Sequence, residues 1–539
     1  MAAKQKDSVR NWQNSTDLRN LLCELVGWGS ETFSEGEQKF SLRLYDKLRG
    51  LSYFREKAAN LQLWDVDFGR QVVSAFYDSG VTKDTVVLIS HFDTVQTEEY
   101  GDFQHLATMP EQLTRFFEEH PTLLNKAAQE DIAKGEYLFG RGVMDMKMGL
   151  CLHMQLLEKA ITEKWPINLM LVTVPDEEVN SAGMRIAVEH IAKMQRDSLL
   201  KVQLFLNSEP SFSQGPTDIN EYIYSGTIGK IMPAALFYGK ETHVGEPLKG
   251  MTAPYMSSFL TAEMEWNERF EESHLGETTP LPVSLQLKDL KDQYSTQTPY
   301  RAAALYNVFL MKRSASEIMD IFEDITHQAM TKCQLKYDAL CQRKGVEGIG
   351  IIQTIRFDTL KKYAMKKLGA EKIQLIEDEV FSMNQLDDRE KSFKLADQLM
   401  IHCQELAPAV VILFAPPFYP PANSSNHPLI KEIIAELLQA AAPYDIPLKQ
   451  IHYFNGICDL SYCQFVLDEG WQAYEENTPV WGKTYRIPLK EIAEFDAPVL
   501  NVGPFGKDAH QISERLHTKS AFEEMPALVE LVIRKVMTR

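Results

Sequence analysis

No CxxC pair occurs in this chain, and its seven cysteines (Cys23, Cys151, Cys333, Cys341, Cys403, Cys458 and Cys463) are odd in number and scattered. That excludes a disulfide scaffold and fits reduced, packed thiols in a cytoplasmic protein. No run approaches the roughly 18 apolar residues that a membrane span requires. The opening MAAKQKDSVRNWQNSTD has no apolar core of the kind a secretory leader carries, so none is expected. Positive charge is scarce: 56 Lys and Arg stand against 75 Asp and Glu, a net charge of −19. Nucleic acid and anionic membrane are therefore poor partners. Repeats and low-complexity tracts are missing as well. What is present is a globular composition, 44% hydrophobic and 24% charged, over 539 residues, long enough for two or more domains.

Through the first part of the chain, short apolar runs alternate with helical patterns. TVVLISHFDTV (85–95), INLMLVTVPDEEVN (167–180) and KVQLFLNSEP (201–210) each read as a buried strand that turns polar at its C-terminal end. STDLRNLLCELVG (15–27, capped by Ser15 or Thr16), MGLCLHMQLLEKAI (148–161) and AGMRIAVEHIAKMQ (182–195) read as helices. The alternation predicts an α/β fold with a mostly parallel sheet flanked by helices. Near residue 238 the character changes to hydrophobic strands and long polar helices, such as 314–340. The Pro-rich APPFYPPANSSN (415–426) reads as a connector, followed by a fresh helix (429–444) and a strand with a polar exit (497–510). We expect a main domain of residues 1–237 and 423–539, interrupted by an inserted α+β domain over 238–422.

In parallel sheets, sites form outside the carboxyl ends of the strands. Here those ends carry His91 and Asp93, Glu177 and Glu178, and Glu209. TVPDEEVNSAG (173–183) gathers three acids side by side, which a fold tolerates at low cost only in solvent or beside a cation. GRGVMDMKMGL (140–150) adds Asp145 in a glycine-bracketed turn, and His510 lies beyond the last strand. Singly, a strand-end histidine, a solvated acid and a helix-start aspartate are all commonplace. Jointly they supply what a two-cation hydrolytic site wants: imidazoles, a carboxylate able to bridge, and a carboxylate left free as base.

SHFDTV, GRGVMDMKMG, VPDEEVNSAG, SEP, THVGEP and GPFGKDAHQISE follow one another over residues 90–514. In that order they resemble the dinuclear zinc aminoacylase/carboxypeptidase family, which includes acetylornithine deacetylase, succinyl-diaminopimelate desuccinylase, glutamate carboxypeptidase and tripeptidase. The resemblance implies a zinc-exopeptidase-like catalytic domain over 1–237 and 423–539, and a lid over 238–422 of the kind that often pairs into homodimers, with a monomer the alternative if the enlarged insert covers that edge. It implies that His91 and Glu209 hold one divalent ion and Glu178 and His510 the other, with Asp145 bridging. The ions would be zinc, or cobalt or manganese. Glu177 would be the general base acting on a metal-bridging water, and Asp93 would orient His91. His243 would stabilise the oxyanion, often in a partner subunit's site. A cis peptide after Asp145 is implied too. The substrate would be an N-acyl amino acid or short peptide, cleaved at its amide bond. The chain's length and the block GTIGKIMPAALFYGKETHVGEPL look most like the arginine-utilisation branch, which implies a place in arginine or other amino-acid catabolism. A di- or tripeptidase, or a catalytically silent binding or regulatory member, are the alternatives.

The sequence departs from the family pattern in three places. Glu209 stands where several members have aspartate; residues 98–137 form a long, mostly helical insertion; and the lid, at about 185 residues, is enlarged. FNGICDLSYC (454–463) resembles a family turn near the substrate, so Asn455, Asp459 and Ser461 either line the cleft or form an ordinary turn. Arg301 and Arg313 read either as carboxylate clamps or as surface arginines.

Overall fold

The computed structural model describes residues 11–539 except 216, 217, 292, 445 and 468. The chain divides into two compact units: Met1–Thr227 with Ala422–Phe465 and Pro488–Arg539, and Ile228–Pro421 with Val466–Ile487. The strand Gly229–Tyr238 thus falls in the second unit, and the chain returns to that unit at 466–487, an excursion the expected boundary at 422/423 omits.

The first unit is built on an eight-stranded sheet. Its strands run in the order Leu61–Asp65, Gln71–Tyr77, Asn168–Val174, Asp84–His91, Lys201–Asn207, Val499–Asn501, Glu221–Tyr224 and Leu448–Ile451. The central pairs are parallel, and antiparallel pairs lie nearer the edges. Asn168–Val174 is buried along its whole length and Asp84–His91 nearly so, which is why NLMLVTV and VVLIS are apolar without alternation. Helices Ser15–Gly27, Met148–Glu163, Pro428–Ala441 and Met525–Met537 pack their apolar faces into one core, where Leu22, Leu150, Ile433 and Val529 meet Leu88 and Leu171 of the strands. The first helix is capped by Asn14, whose side chain accepts from the Asp17 amide, rather than by Ser15 or Thr16.

A smaller four-stranded sheet in the same unit orders Tyr137–Phe139, Arg515–His517, Phe505–Lys507 and Ser211–Phe212. Its two middle strands form an antiparallel hairpin whose loop carries His510, and the strand that ends the insertion pairs with the outer arm of that hairpin.

The second unit holds a five-stranded sheet in the order Val283–Asp289, Arg301–Leu310, Gly229–Tyr238, Ala409–Tyr419 and Gln353–Arg356, with only the last pair parallel. APPFY is not a connector but the end of the buried strand Ala409–Tyr419. Two prolines fit there because the pairing with Gly229–Tyr238 slips between Lys230 and Met232, and such a bulge leaves ladder positions that need no amide. The 466–487 return is held by rings: Trp471 and Tyr474 stack on Phe418 at 5.4 and 4.8 Å, and the Phe418 amide donates to the Tyr485 hydroxyl. Among the described residues no helix is long and apolar enough to cross a membrane.

Candidate metal centre

Strand register brings the first candidates together. His91 is paired with Val174, and Ile89 with Asn207, so the neighbouring strands leave the sheet level with one another. Their next few residues therefore emerge within a strand spacing or two, roughly 5–10 Å. There His91 Nε2 lies 3.5 Å from Glu209 Oε1 and 3.9 Å from Glu177 Oε2.

Asp145 arrives from the GRG turn and sits between two imidazoles. Its Oδ1 is 3.1 Å from His91 Nε2, and its Oδ2 is 3.1 Å from His510 Nε2. His510 Nε2 is also 3.1 Å from Glu178 Oε2. One donor atom each from His91, Asp145 and Glu178 lie within 4.8 Å of one another. The Asp145–Met146 peptide is cis. Thus His91, Asp145, Glu177, Glu178, Glu209 and His510, spread over more than four hundred positions, share one cradle.

Asp93 does more than face His91. Its carbonyl oxygen is 3.1 Å from His91 Nδ1 and its carboxylate 3.6 Å away, while the carboxylate accepts from the amides of Glu177 (3.0 Å) and Glu178 (3.3 Å) and from the Thr32 hydroxyl. It fastens the acid loop to the strand exit. Asp176, the first of the three acids, is a buried structural ion: Arg70 Nη1 lies 2.7 Å from its Oδ1, and its other oxygen accepts from the Ala182 amide at the start of the next helix. Arg70 also reaches the buried Glu37 at 3.4 Å and pairs with Asp67. The GRG turn has its own clamp. Arg141 Nη1 is 2.7 Å from the fully buried Glu514, which also accepts from the Gly142 amide, and Arg141 pairs with Glu99 of the insertion.

The charge balance is lopsided. Burial pushes Glu177 and Glu209 well above the usual carboxylate range; Asp459 adds to both shifts and His91 opposes both. Burial raises Glu178 as well, helped by Asp145 and opposed by His510. Burial would also raise Asp145, but His510 and His91 hold it far below its ordinary value. Burial would depress His91, yet Glu209, Glu177, Asp145 and Asp93 outweigh it and raise the imidazole. The buried ammonium of Lys147, which has no hydrogen-bond partner among the described residues, is pushed down to about 8, mainly by burial. More acid is gathered here than the side-chain bases neutralise. Imidazole nitrogens and carboxylate oxygens are also the donor set that zinc and its neighbours prefer, so the residues fit a pair of divalent cations.

Of the other candidates, Asp459 lies close enough to the cradle to raise Glu177 and Glu209. Asp459 and Ser461 are buried, and Asp459 is raised to about 7, chiefly by burial; Asn455 is exposed. His243 is exposed in the second unit, its Nδ1 accepting from the Gly245 amide. Arg301 is no free clamp, since Asp397 holds it at 2.9 Å, and Arg313 donates to the Arg269 carbonyl. Sequence reasoning missed Arg70, Lys147 and the Arg141–Glu514 pair. Of these Arg141 and Lys147 lie in the quoted GRGVMDMKMGL block and Glu514 four residues after His510 in another, whereas Arg70 left no trace in the sequence.

Residues 87–523 match the family model of Peptidase family M20/M25/M40. The chain is 38% identical over 534 residues to the uncharacterised protein YqjN of Bacillus subtilis, covering 98% of this chain and 97% of that one. It is 26% identical over 548 residues to protein RocB of the same organism, covering 98% and 96%. Among solved structures, an M20 family metallo-carboxypeptidase of Sulfolobus solfataricus superposes with a TM-score of 0.55 at 12% identity, covering 96% of this chain and 99% of that one.

Proposed function

Since the chain belongs to the M20/M25/M40 peptidase family, we propose that it is a two-cation amidohydrolase acting on an N-acyl amino acid or a short peptide. The observation that carries this is Asp145, which offers one oxygen toward each of two imidazoles at equal distances. His91 and Glu209 would hold one ion and Glu178 and His510 the other, with Asp145 shared; zinc suits the donors, and cobalt or manganese would serve. When bound, such ions polarise a carbonyl and acidify water. Glu177 lies beside these ligands, tethered through its amide to Asp93, and burial raises its carboxyl above the usual carboxylate range, the direction a general base needs. In this reading it takes the proton of the attacking water and delivers it to the leaving amine. Asp93 positions both His91 and the Glu177–Glu178 backbone. His243 would stabilise the oxyanion, in its own site or in that of a second subunit. The second unit would be the lid, and the exposed Leu285 and Leu287 on its edge strand Val283–Asp289 support pairing into a homodimer. The resemblance to the arginine-utilisation branch favours a substrate from arginine or related amino-acid breakdown.

The test is a panel of N-acyl amino acids against di- and tripeptides, each assayed with zinc, manganese or cobalt, alongside Glu177→Ala. We expect turnover by the parent on one class. The variant should bind both metals and lose about 10²–10⁴-fold in kcat. A variant as fast as its parent would overturn the base assignment. Turnover of peptides alone would make the enzyme a di- or tripeptidase.

A further inference from the structure

The insertion over 98–137 lies in the first unit, and one group of its contacts meets the loop that carries His510. That loop is locally awkward: Asp508 and His510 both adopt left-handed backbone, with φ of 59° and 65°. Non-glycine residues hold such conformations at a cost of about 1 kcal/mol each unless the surroundings impose them.

The surroundings here come from the insertion. Asp131, buried on the helix Lys126–Lys134, receives Lys507 Nζ at 2.8 Å and both Nε and Nη2 of Arg515 at 2.9 and 2.8 Å, one cation at each base of the loop. Arg515 in turn reaches Asp508 with its remaining nitrogen. Asn125 works in two directions. Its oxygen caps the helix by accepting from the Ala128 amide, and its nitrogen donates to Asp508 Oδ2 at 3.1 Å and to Ser513 Oγ at 3.2 Å. Ile512, two residues past His510, packs against the insertion's own core of Leu113, Phe117 and Ile132.

We propose that the insertion is a brace for the His510 loop, with Asp131 and Asn125 as its positioning residues, and that it sets how tightly the cation assigned to His510 and Glu178 is held. The second half of this statement rests on the two-cation reading above; the first half does not. Without the brace the loop relaxes from its left-handed turns, and His510 loses its alignment with Asp145 and Glu178. The cation assigned to His91 and Glu209 hangs on strand exits away from the bonds that Asp131 and Asn125 make to the His510 loop.

The experiment uses the full metal-free chain as parent, Asp131→Asn, Asn125→Ala, and the control Glu130→Gln on an exposed position of the same helix. Backbone amide exchange is read over 507–515 and over the Asp84–His91 strand, and Co²⁺ is titrated by calorimetry. We expect loop amides to exchange at least about tenfold faster in Asp131→Asn and less so in Asn125→Ala, with strand amides and the control unchanged. Of the two Co²⁺ ions, one should bind about tenfold or more weakly in Asp131→Asn and the other as in the parent. Loop exchange equal to the parent's in both variants would overturn the brace. Faster exchange with both affinities intact would overturn its link to the cation. A parent that takes up fewer than two ions would overturn the two-cation reading, leaving the exchange result to decide the brace.

Discussion

The two halves of the candidate site are held by different physics. His91, Glu177, Glu178 and Glu209 leave the ends of adjacent parallel strands, so the sheet's register sets their positions and the core behind them is aliphatic. Asp145 comes from a turn outside any ladder and His510 from a loop beyond the last hairpin pair, Lys507 with Arg515, and buried ions surround them: Arg141 with Glu514 at one, Arg515 with Asp131 at the other. A strand exit inherits its precision from hydrogen bonds some seven residues long, whereas a loop must be given it by side chains brought from elsewhere. Even the strand-exit half has one ionic clamp, Arg70 on Asp176, at the point where the chain stops being strand.

That clamp and its counterpart give the largest expected effect. Arg70→Met leaves Asp176 and Glu37 buried without their cation, and breaking a buried pair from one side costs about 3–5 kcal/mol. Arg141→Met strands Glu514 in the same way, but its second partner, Glu99, is 36% exposed and can be solvated, so the loss should sit lower, near about 3 kcal/mol. Urea unfolding of both variants checks the ranking. Arg141→Met matching or exceeding Arg70→Met would mean that the loop half carries more of the stability than its exposed partner implies.

The same division explains what could be read from the sequence. His91, Glu177, Glu178 and Glu209 were legible because a short apolar run followed by polar residues marks a parallel strand and its exit, and Asp145 and His510 because they lie in compact blocks. The clamps were not legible. Arg70 meets Asp176 across 106 positions, Arg141 meets Glu514 across 373 and Arg515 meets Asp131 across 384, and no local period announces such pairs. The 466–487 return was missed for a related reason: Trp471, Tyr474, Trp481 and Tyr485 have no regular spacing, and their meaning lies in rings on a distant strand. APPFY misled because two prolines normally bar a strand, and only the partner's slipped register admits them.

A smaller effect sharpens the comparison from inside the core. His153, fully buried on the helix behind the strand exits, bonds Ser208 Oγ through Nε2 at 2.9 Å, and burial alone depresses it to about 3. Between about 6.5 and 3 the unfolded chain carries a proton there that the folded chain refuses. Stability from this group is therefore complete above about 6.5 and is lost as pH falls toward 3. His153→Gln keeps a donor toward Ser208 without the titration. Its stability deficit relative to the parent should shrink by about 3 kcal/mol on going from pH 7 to pH 4 in chemical denaturation. A deficit constant across that range would assign the acid sensitivity to the ionic half of the site instead.

The smallest effect separates the halves most cleanly, because two helix caps of the same kind sit one in each. Ser34 caps Glu35–Arg49, the helix that carries Glu37 toward Arg70, and its hydroxyl accepts from the Glu37 amide. Asn125 caps Lys126–Lys134 in the insertion. Replacing either by Ala removes one cap bond and should cost about 1 kcal/mol in thermal or urea unfolding. Only Asn125 has a second allegiance, to Asp508 and Ser513 at the His510 loop. Equal stability losses with faster loop exchange in Asn125→Ala alone would show that a side chain spent on a helix end also holds the loop. Equal losses with equal exchange would make the two caps interchangeable and leave the loop half to its buried ions.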